Sequence, residues 1–363
     1  MSPNPTRPGP AGGRIETIEM GRGIAAIAVV VFHANAAFRE FGGRFYEFLS
    51  IGEHGVDFFF VLSGFIIFSA HWNDIGRPAQ ATDYYLKRLI RLVPLLWLVV
   101  LGWAALRHAT GQPDDWSKVL NSLFLWPSAA PTTPSVVWTL RHEALFYLIF
   151  GVLVIHAWTG RVLFLAWGIA VVAQALALFG GAPLQGPMAM VLSSFTLDFF
   201  MGAGVAALYR HGRLPFGPPL LAAGLLALAA ALGAGLALGY HRESVTDFVS
   251  PVARLWVPVL GLCFALVVAG LAATDRVVRV PRWAVLLGGA SYAVYLVHLP
   301  VISVAQRVAA KFPHALVALG AGHVFVSICG IAAGVAVHIA IEKPAIRWLR
   351  RRLLKRPTPA MAA

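Results

Sequence analysis

Long apolar runs, each closed by a short polar or proline- and glycine-rich stretch, recur along nearly the whole chain. An α-helix rises about 1.5 Å per residue, so about 20 apolar residues cross the hydrocarbon core of a bilayer. Ten runs have about that length: 18–38, 54–71, 89–106, 139–157, 161–179, 188–208, 217–238, 253–273, 284–308 and 315–341. Lipid offers backbone N–H and C=O groups no partner, so each run is expected to satisfy its own as a helix. The pattern predicts an all-α polytopic membrane protein, about ten transmembrane helices in one bundle. Polar groups at Gly55-Val56-Asp57 and at His142 and Glu143 fall within the second and fourth runs and blur their ends. Residues 1–13, rich in Pro and Gly, are expected to form a disordered tail. The membrane domain follows over 14–346, then a basic C-terminal tail over 347–363. Residues 24–32, followed by Ala34-Asn35-Ala36, imitate a signal peptide. The remaining chain is itself membrane-embedded, so this segment reads as a retained first span.

Composition agrees and charge sets the orientation. With 58% hydrophobic and 12% charged residues, the chain is not a soluble domain. A net charge of +13 could suggest nucleic acid, but the cations lie in short clusters between the apolar runs, the arrangement of topology signals. With the N-terminus inside, twenty of the 29 Lys and Arg residues fall on the cytoplasmic side, so both termini are expected there. The arginine-rich tail, Arg347 to Arg356, should rest on anionic lipid. Cys263 and Cys329 lie in predicted spans and indicate neither a redox compartment nor a metal.

Against this apolar background a few polar residues stand out. Arg22 and His33 share the first span, and their spacing of eleven positions is three helical turns plus about 20°, about 16 Å along one face. Ionisable groups in a span usually face a bundle interior or a water-filled cavity, which makes this helix the first candidate site. Snorkelling of Arg22 to the headgroups is the plain alternative. Asp57 opens the second span, as either a helix-start carboxylate or a functional acid. Ser63 has no base near it in sequence and reads as an interhelical hydrogen-bonding group. Arg88 and Arg91, three apart on one face at the inner surface, suit phosphate, because guanidinium groups make bidentate charge-assisted bonds. Pro94 is expected to bend the helix just beyond them.

The long loop over 107–137 is a candidate lid or acceptor-contacting segment. It leads to Trp138-Thr139-Leu140-Arg141-His142-Glu143, where Glu143 and Tyr147 face the same way and could orient a histidine or bind hydroxyls. His142 points about 100° away and is expected to be peripheral. The middle of the chain reads as scaffold, with Asp198 its one notable acid. Ser291, Tyr295 and His298 form a polar stripe at i, i+4 and i+7, suited to bundle cohesion or, less commonly, to catalysis.

Taken together these blocks resemble the integral-membrane acyltransferase family 3, and within it the exopolysaccharide-production branch. The resemblance rests on Glu19-Met20-Gly21-Arg22-Gly23 with His33, residues 55–65, Arg88 to Pro94, Trp138 to Tyr147, Ser291 to Pro300 and Glu342-Lys343-Pro344, in the family's order. It implies a bacterial inner-membrane enzyme that moves an acyl group, typically acetyl from acetyl-CoA or another acyl-CoA, to a hydroxyl of a cell-surface or exported glycan. It assigns His33 as general base or as an acyl-carrying histidine, with Glu143 and Asp57 as further catalytic candidates. Arg22, Arg88 and Arg91 would hold the donor phosphates, and Trp138, Tyr147, Tyr295 and His298 are candidate substrate contacts. No metal is implied. Expected partners are the acyl-CoA, the glycan, membrane lipid and the polysaccharide-assembly machinery, with no nucleic acid. The sequence departs from the family in having Glu19-Met20 where Leu-Asp is common, and Val93 where an aromatic often precedes the proline. Two alternatives remain: a transporter or flippase-like protein that performs no chemistry, and an acyltransferase acting on a small molecule or a lipid.

Overall fold

The computed structural model describes residues 14–40, 44–128, 130–177, 184, 186–215, 217–239, 251–311 and 320–354. The expected tail over 1–13 and the last residues of the basic tail lie outside them. Among the described residues the regular structure is helical, and ten helical segments are long and apolar enough to cross a membrane. In chain order the helices are α1 (Glu16–Glu40), α2 (Gly55–His71), α3 (Ala81–Ala109), α4 (Trp116–Leu123), α5 (Trp138–Ile155), α6 (Ala157–Ala177), α7 (Gly186–Val191), α8 (Phe195–Arg210), α9 (Gly217–Ala237), α10 (Pro251–Thr274), α11 (Arg282–Ala309), α12 (Ala321–Val337) and α13 (Lys343–Leu353).

Most expected spans have their counterpart, and the differences are local. The third helix begins at Ala81, well before the apolar run, so Arg88 and Arg91 lie inside it, and it continues past Pro94 to Ala109. The sixth span is broken into α7 and α8 around Ser193 and Ser194. The last ends in a π turn, His338–Glu342, which hands over to α13. A π turn places one extra residue in the helix and frequently marks a functional position. Here it turns the Glu342 side chain into the protein, where it is 3% exposed.

Burial divides the bundle into core and periphery. The second span is 72% buried while the seventh, α9, is only 11% buried, so α9 shows most of its Leu and Ala surface to lipid. The helices pack as α1 on α11, α11 on α12, α2 on α8, and α10 on both α8 and α9. Two of these crossings depend on glycine. A Cβ at Gly202 would overlap the Val61 carbonyl of α2, and one at Gly288 would overlap the Glu19 backbone of α1. Interfaces between membrane helices gain from such close approach because lipid supplies no hydrophobic drive for association. Gly202→Leu is therefore expected to abolish the monodisperse peak in size-exclusion chromatography. Gly204→Ala, where the added methyl meets open space, should leave it intact. An equal response at both positions would remove packing as the reason.

A cluster of large rings joins α2, α5, α6 and α8: Phe60, Phe146, Phe150, Phe164, Trp167, Phe195 and Phe199. Stacked and edge-on pairs such as Phe146 with Phe199, 4.6 Å apart, fix the relative rotation of these helices. The loop between α3 and α5 is tied down. Arg141 donates to the carbonyls of Ser128 (2.9 Å) and Ala130 (2.6 Å), and the Thr133 hydroxyl donates to Asp114 at 2.6 Å. Asp115 caps α4 by accepting from the Ser117 N–H, which holds its carboxyl below the usual range. Trp116, Phe124 and Trp126 of this loop are largely exposed, as aromatic side chains at a membrane–water boundary are.

Candidate active site

Five helices leave a cavity of about 170 Å³ between them. Arg22 reaches it from α1; Phe59 and Ser63 from α2; Arg88 and Arg91 from α3; Thr139, Glu143 and Tyr147 from α5; and Ser291, Tyr292 and Tyr295 from α11. The three arginines are thus brought together from two helices some seventy positions apart in sequence, all of them partly accessible.

Each arginine is held by a fixed partner. Arg22 lies 3.2 Å from the Glu19 carboxylate one turn away, and Arg14 reaches the same carboxylate at 3.2 Å. Arg91 pairs with Glu342, whose other oxygen takes a 2.6 Å bond from His338 Nδ1. Arg88 donates to His71 Nε2 at 2.9 Å, and His71 Nδ1 donates to Asp74 at 2.7 Å. Because an arginine can only donate, His71 Nε2 must carry a lone pair. The rings of Tyr147 and Tyr292 lie under Arg88 (5.7 Å) and Arg91 (5.1 Å). A guanidinium carries five N–H groups, so these contacts orient each fork and still leave donors for an anion; the buried Arg88 Nε has no partner.

Glu143 lies among these groups and accepts from two hydroxyls, Tyr147 one helical turn away and Ser63 on α2 at 3.2 Å. Ser63 thus faces a carboxylate 80 positions distant, a relation its neighbours in sequence do not show. The Tyr147 bond is a charge-assisted one, so Tyr147→Phe is expected to cost about 1–3 kcal/mol. The check is a lower thermal denaturation midpoint; an unchanged midpoint would mean that water or another donor replaces the phenol. Tyr295 is pinned too: its hydroxyl donates to the Val136 carbonyl (3.1 Å) and accepts from Thr139 (3.0 Å).

His33 is not part of the cavity wall. It lies further along α1 from Arg22, half-buried, and meets His298 of α11 with ring centroids 4.8 Å apart. The Tyr295 ring, which does line the cavity, is 5.9 Å from that of His298. The polar stripe of α11 thus runs from the cavity, at Ser291 and Tyr295, to the histidine pair. Glu143 has its hydroxyl partners and Asp57 lies fully buried with His54 Nδ1 3.4 Å away. The side chain that meets His33 is therefore a second histidine rather than a carboxylate. Trp138 packs among Phe60, His142 and Phe195 instead of facing the cavity, and His142 is buried there, inside the protein rather than at its periphery. Asp198 is fully buried on α8, close to Gly261 of α10. Among the described residues no group of three or more His, Cys, Asp or Glu is placed to hold a metal.

The acyltransferase 3 domain matches residues 15–342, nearly the whole chain and every helix that lines the cavity. The chain belongs to the acyltransferase 3 family. Among its relatives, the exopolysaccharide production protein ExoZ of Rhizobium meliloti is 30% identical over 323 residues, 84% of this chain and 92% of ExoZ. A candidate O-acetyltransferase of Staphylococcus aureus is 24% identical over 44% of this chain and 28% of its own length. The candidate peptidoglycan O-acetyltransferase YrhL of Bacillus subtilis is 27% identical over 35% and 22%. The match to these last two covers a minor part of their length. No solved structure matches significantly. This acyltransferase is an enzyme and a multi-pass membrane protein, which sets aside the transporter that performs no chemistry.

The residues that sequence reasoning left unassigned around the cavity are Glu19, His71, Glu342 and Tyr292. Glu342 had a signal, since it stands in the Glu-Lys-Pro block that carries part of the family resemblance, but its partner Arg91 is 251 positions away.

Proposed function

We propose that this acyltransferase moves an acetyl group from acetyl-CoA, or another short acyl group from its CoA ester, to a hydroxyl of an exported glycan at the bacterial inner membrane. The observation that carries the donor half is the convergence of Arg22, Arg88 and Arg91 on one cavity. Coenzyme A is a polyanion, and three guanidinium groups with spare N–H donors are suited to its phosphates. The excess of basic residues on one side of the bundle supports cytoplasmic termini, which turns the arginine end toward the cytoplasmic donor pool. The acceptor half follows from the relatives, one named for exopolysaccharide production and others as O-acetyltransferases.

In the proposed reaction the phosphates stay with the arginines while the thioester end extends past Phe59 and Tyr295 toward the histidine pair. His33 takes the proton of the acceptor hydroxyl as that oxygen attacks the thioester carbonyl. The C–O bond forms, the C–S bond breaks, and the proton passes from His33 to the leaving thiolate. Glu143, held by Ser63 and Tyr147, lines the same cavity as the arginines and offers the acceptor path a carboxylate there.

The test is the O-acetyl content of exopolysaccharide, read by proton NMR, from a strain that lacks the protein. Loss of acetyl signals that wild type restores and His33→Ala does not is the expected result. Unchanged polysaccharide, with an acetylated lipid or small molecule lost instead, would move the acceptor to that class.

A further inference from the structure

We infer that His298 is a positioning residue that accepts a hydrogen bond from His33 across the α1–α11 contact and so fixes the orientation in which the second ring nitrogen of His33 is presented for proton transfer. This rests on the reading of His33 as the base. His33 Nδ1 is 2.9 Å from the carbonyl of Val29 and 3.2 Å from His298 Nε2. A carbonyl can only accept, so Nδ1 of His33 carries the hydrogen and Nε2 carries the lone pair. His298 repeats the arrangement, its Nδ1 lying 3.1 Å from the Val294 carbonyl. Its hydrogen is therefore on Nδ1 as well, and its Nε2 is an acceptor facing the His33 N–H. Hydrogens on both facing nitrogens would collide at this distance, so the network has one consistent assignment.

The assignment separates the two rings in role. His298 is fully buried, and both of its nitrogens are engaged. It has no donor or acceptor left for a substrate, although its place in the polar stripe makes it a candidate substrate contact. His33 is half-buried, with one nitrogen engaged and the other unassigned by any protein contact. The Val29 bond is local to α1 and lets the ring turn with its own helix. The His298 bond crosses to α11 and ties the ring to the helix that also carries Tyr295 into the cavity. In serine hydrolases a carboxylate orients the catalytic histidine from the same side of the ring. Here the orienting group is a neutral imidazole, which fits a site in a membrane span, where a further carboxylate would cost more.

The experiment compares initial rates of acetyl transfer by purified His33→Ala, His298→Leu and His298→Gln enzymes, each first checked for a wild-type elution profile. His298→Leu removes the acceptor and is expected to lower kcat by about 10²-fold, with KM for acetyl-CoA within about twofold of wild type. His298→Gln places an amide oxygen near the position of Nε2 and should recover most of that loss. Nitrogen-15 chemical shifts of selectively labelled histidine should show the Nδ1–H tautomer of His33 in wild type, His298→Gln and His298→Leu alike, with the His33 Nδ1 shift moved in His298→Leu, where one of its two acceptors is gone, and returned toward wild type in His298→Gln. An inactive His33→Ala beside a fully active His298→Leu would overturn the inference and leave His33 in its role. Equal loss in His298→Gln and His298→Leu would also overturn it, because a mere acceptor would then be insufficient. A fully active His33→Ala would instead remove the base reading beneath it.

Discussion

Replacing His33 with alanine is expected to lower acetyl transfer by about 10³-fold while the protein still folds, inserts and binds its donor. The size follows from general base catalysis, which contributes about 10²–10⁴-fold when the base is positioned. Preservation of donor affinity follows from geometry, since His33 lies beyond the wall of the cavity that the arginines share. Folding should survive as well. Its ring bonds to the carbonyl of its own helix and to His298 across the α1–α11 contact, whose close approach at Gly288 against Glu19 does not depend on the imidazole. The measurement is kcat and KM for acetyl-CoA with a soluble hydroxyl acceptor. A fall in kcat with unchanged KM identifies an interaction made only in the transition state. A rise in KM with unchanged kcat would place His33 in the donor site instead.

The second large effect belongs to the arginines. Arg88→Ala with Arg91→Ala is expected to weaken acetyl-CoA binding by about 10²–10⁴-fold, at about 1.5–3 kcal/mol for each hydrogen bond to a charged group. The two single variants should not be equal. Removing Arg91 strands the 3%-exposed carboxylate of Glu342 with only His338 for company, whereas removing Arg88 leaves a histidine that still bonds Asp74. Breaking a buried pair costs more than its net contribution because the remaining charge is uncompensated. Arg91→Ala should therefore lower stability as well as affinity, and adding Glu342→Gln to it should recover part of the stability without recovering affinity. Recovery of both would mean that Arg91 serves the fold alone.

The helices and the contacts between them differ in how far the sequence reveals them. The ten spans are readable because hydrocarbon admits so few solutions for an apolar run of about 20 residues. Their exact ends are less so: the start of α3 and the π turn before α13 lie where polar residues are helical for reasons of packing rather than hydropathy. The spacing of Arg22 from His33 reads directly as one helix face, since both lie on the same helix and the helical period suffices. Arg88 with Arg91, and Glu143 with Tyr147, are legible for the same reason. Contacts between helices are not. Nothing local in the sequence pairs Ser63 with Glu143, Arg91 with Glu342 or His33 with His298, because helix rotation and tilt are set by close crossings such as Gly202 against Val61. The stripe of Ser291, Tyr295 and His298 shows this well. Its face is evident from the 3.6-residue period, but only the packing of α11 on α1 sets one end at the cavity and the other against His33.

Binding of a CoA ester among these arginines is the central requirement of the proposed reaction. Thermal-shift titration of the purified enzyme with acetyl-CoA and with free CoA, each at low and high salt, measures it. Stabilisation by both ligands is expected, weaker at high salt because phosphate–arginine attraction is screened, and absent in the Arg88→Ala/Arg91→Ala enzyme. A folded wild-type enzyme that shows no shift at millimolar ligand, or a double variant that shifts as wild type does, would contradict it.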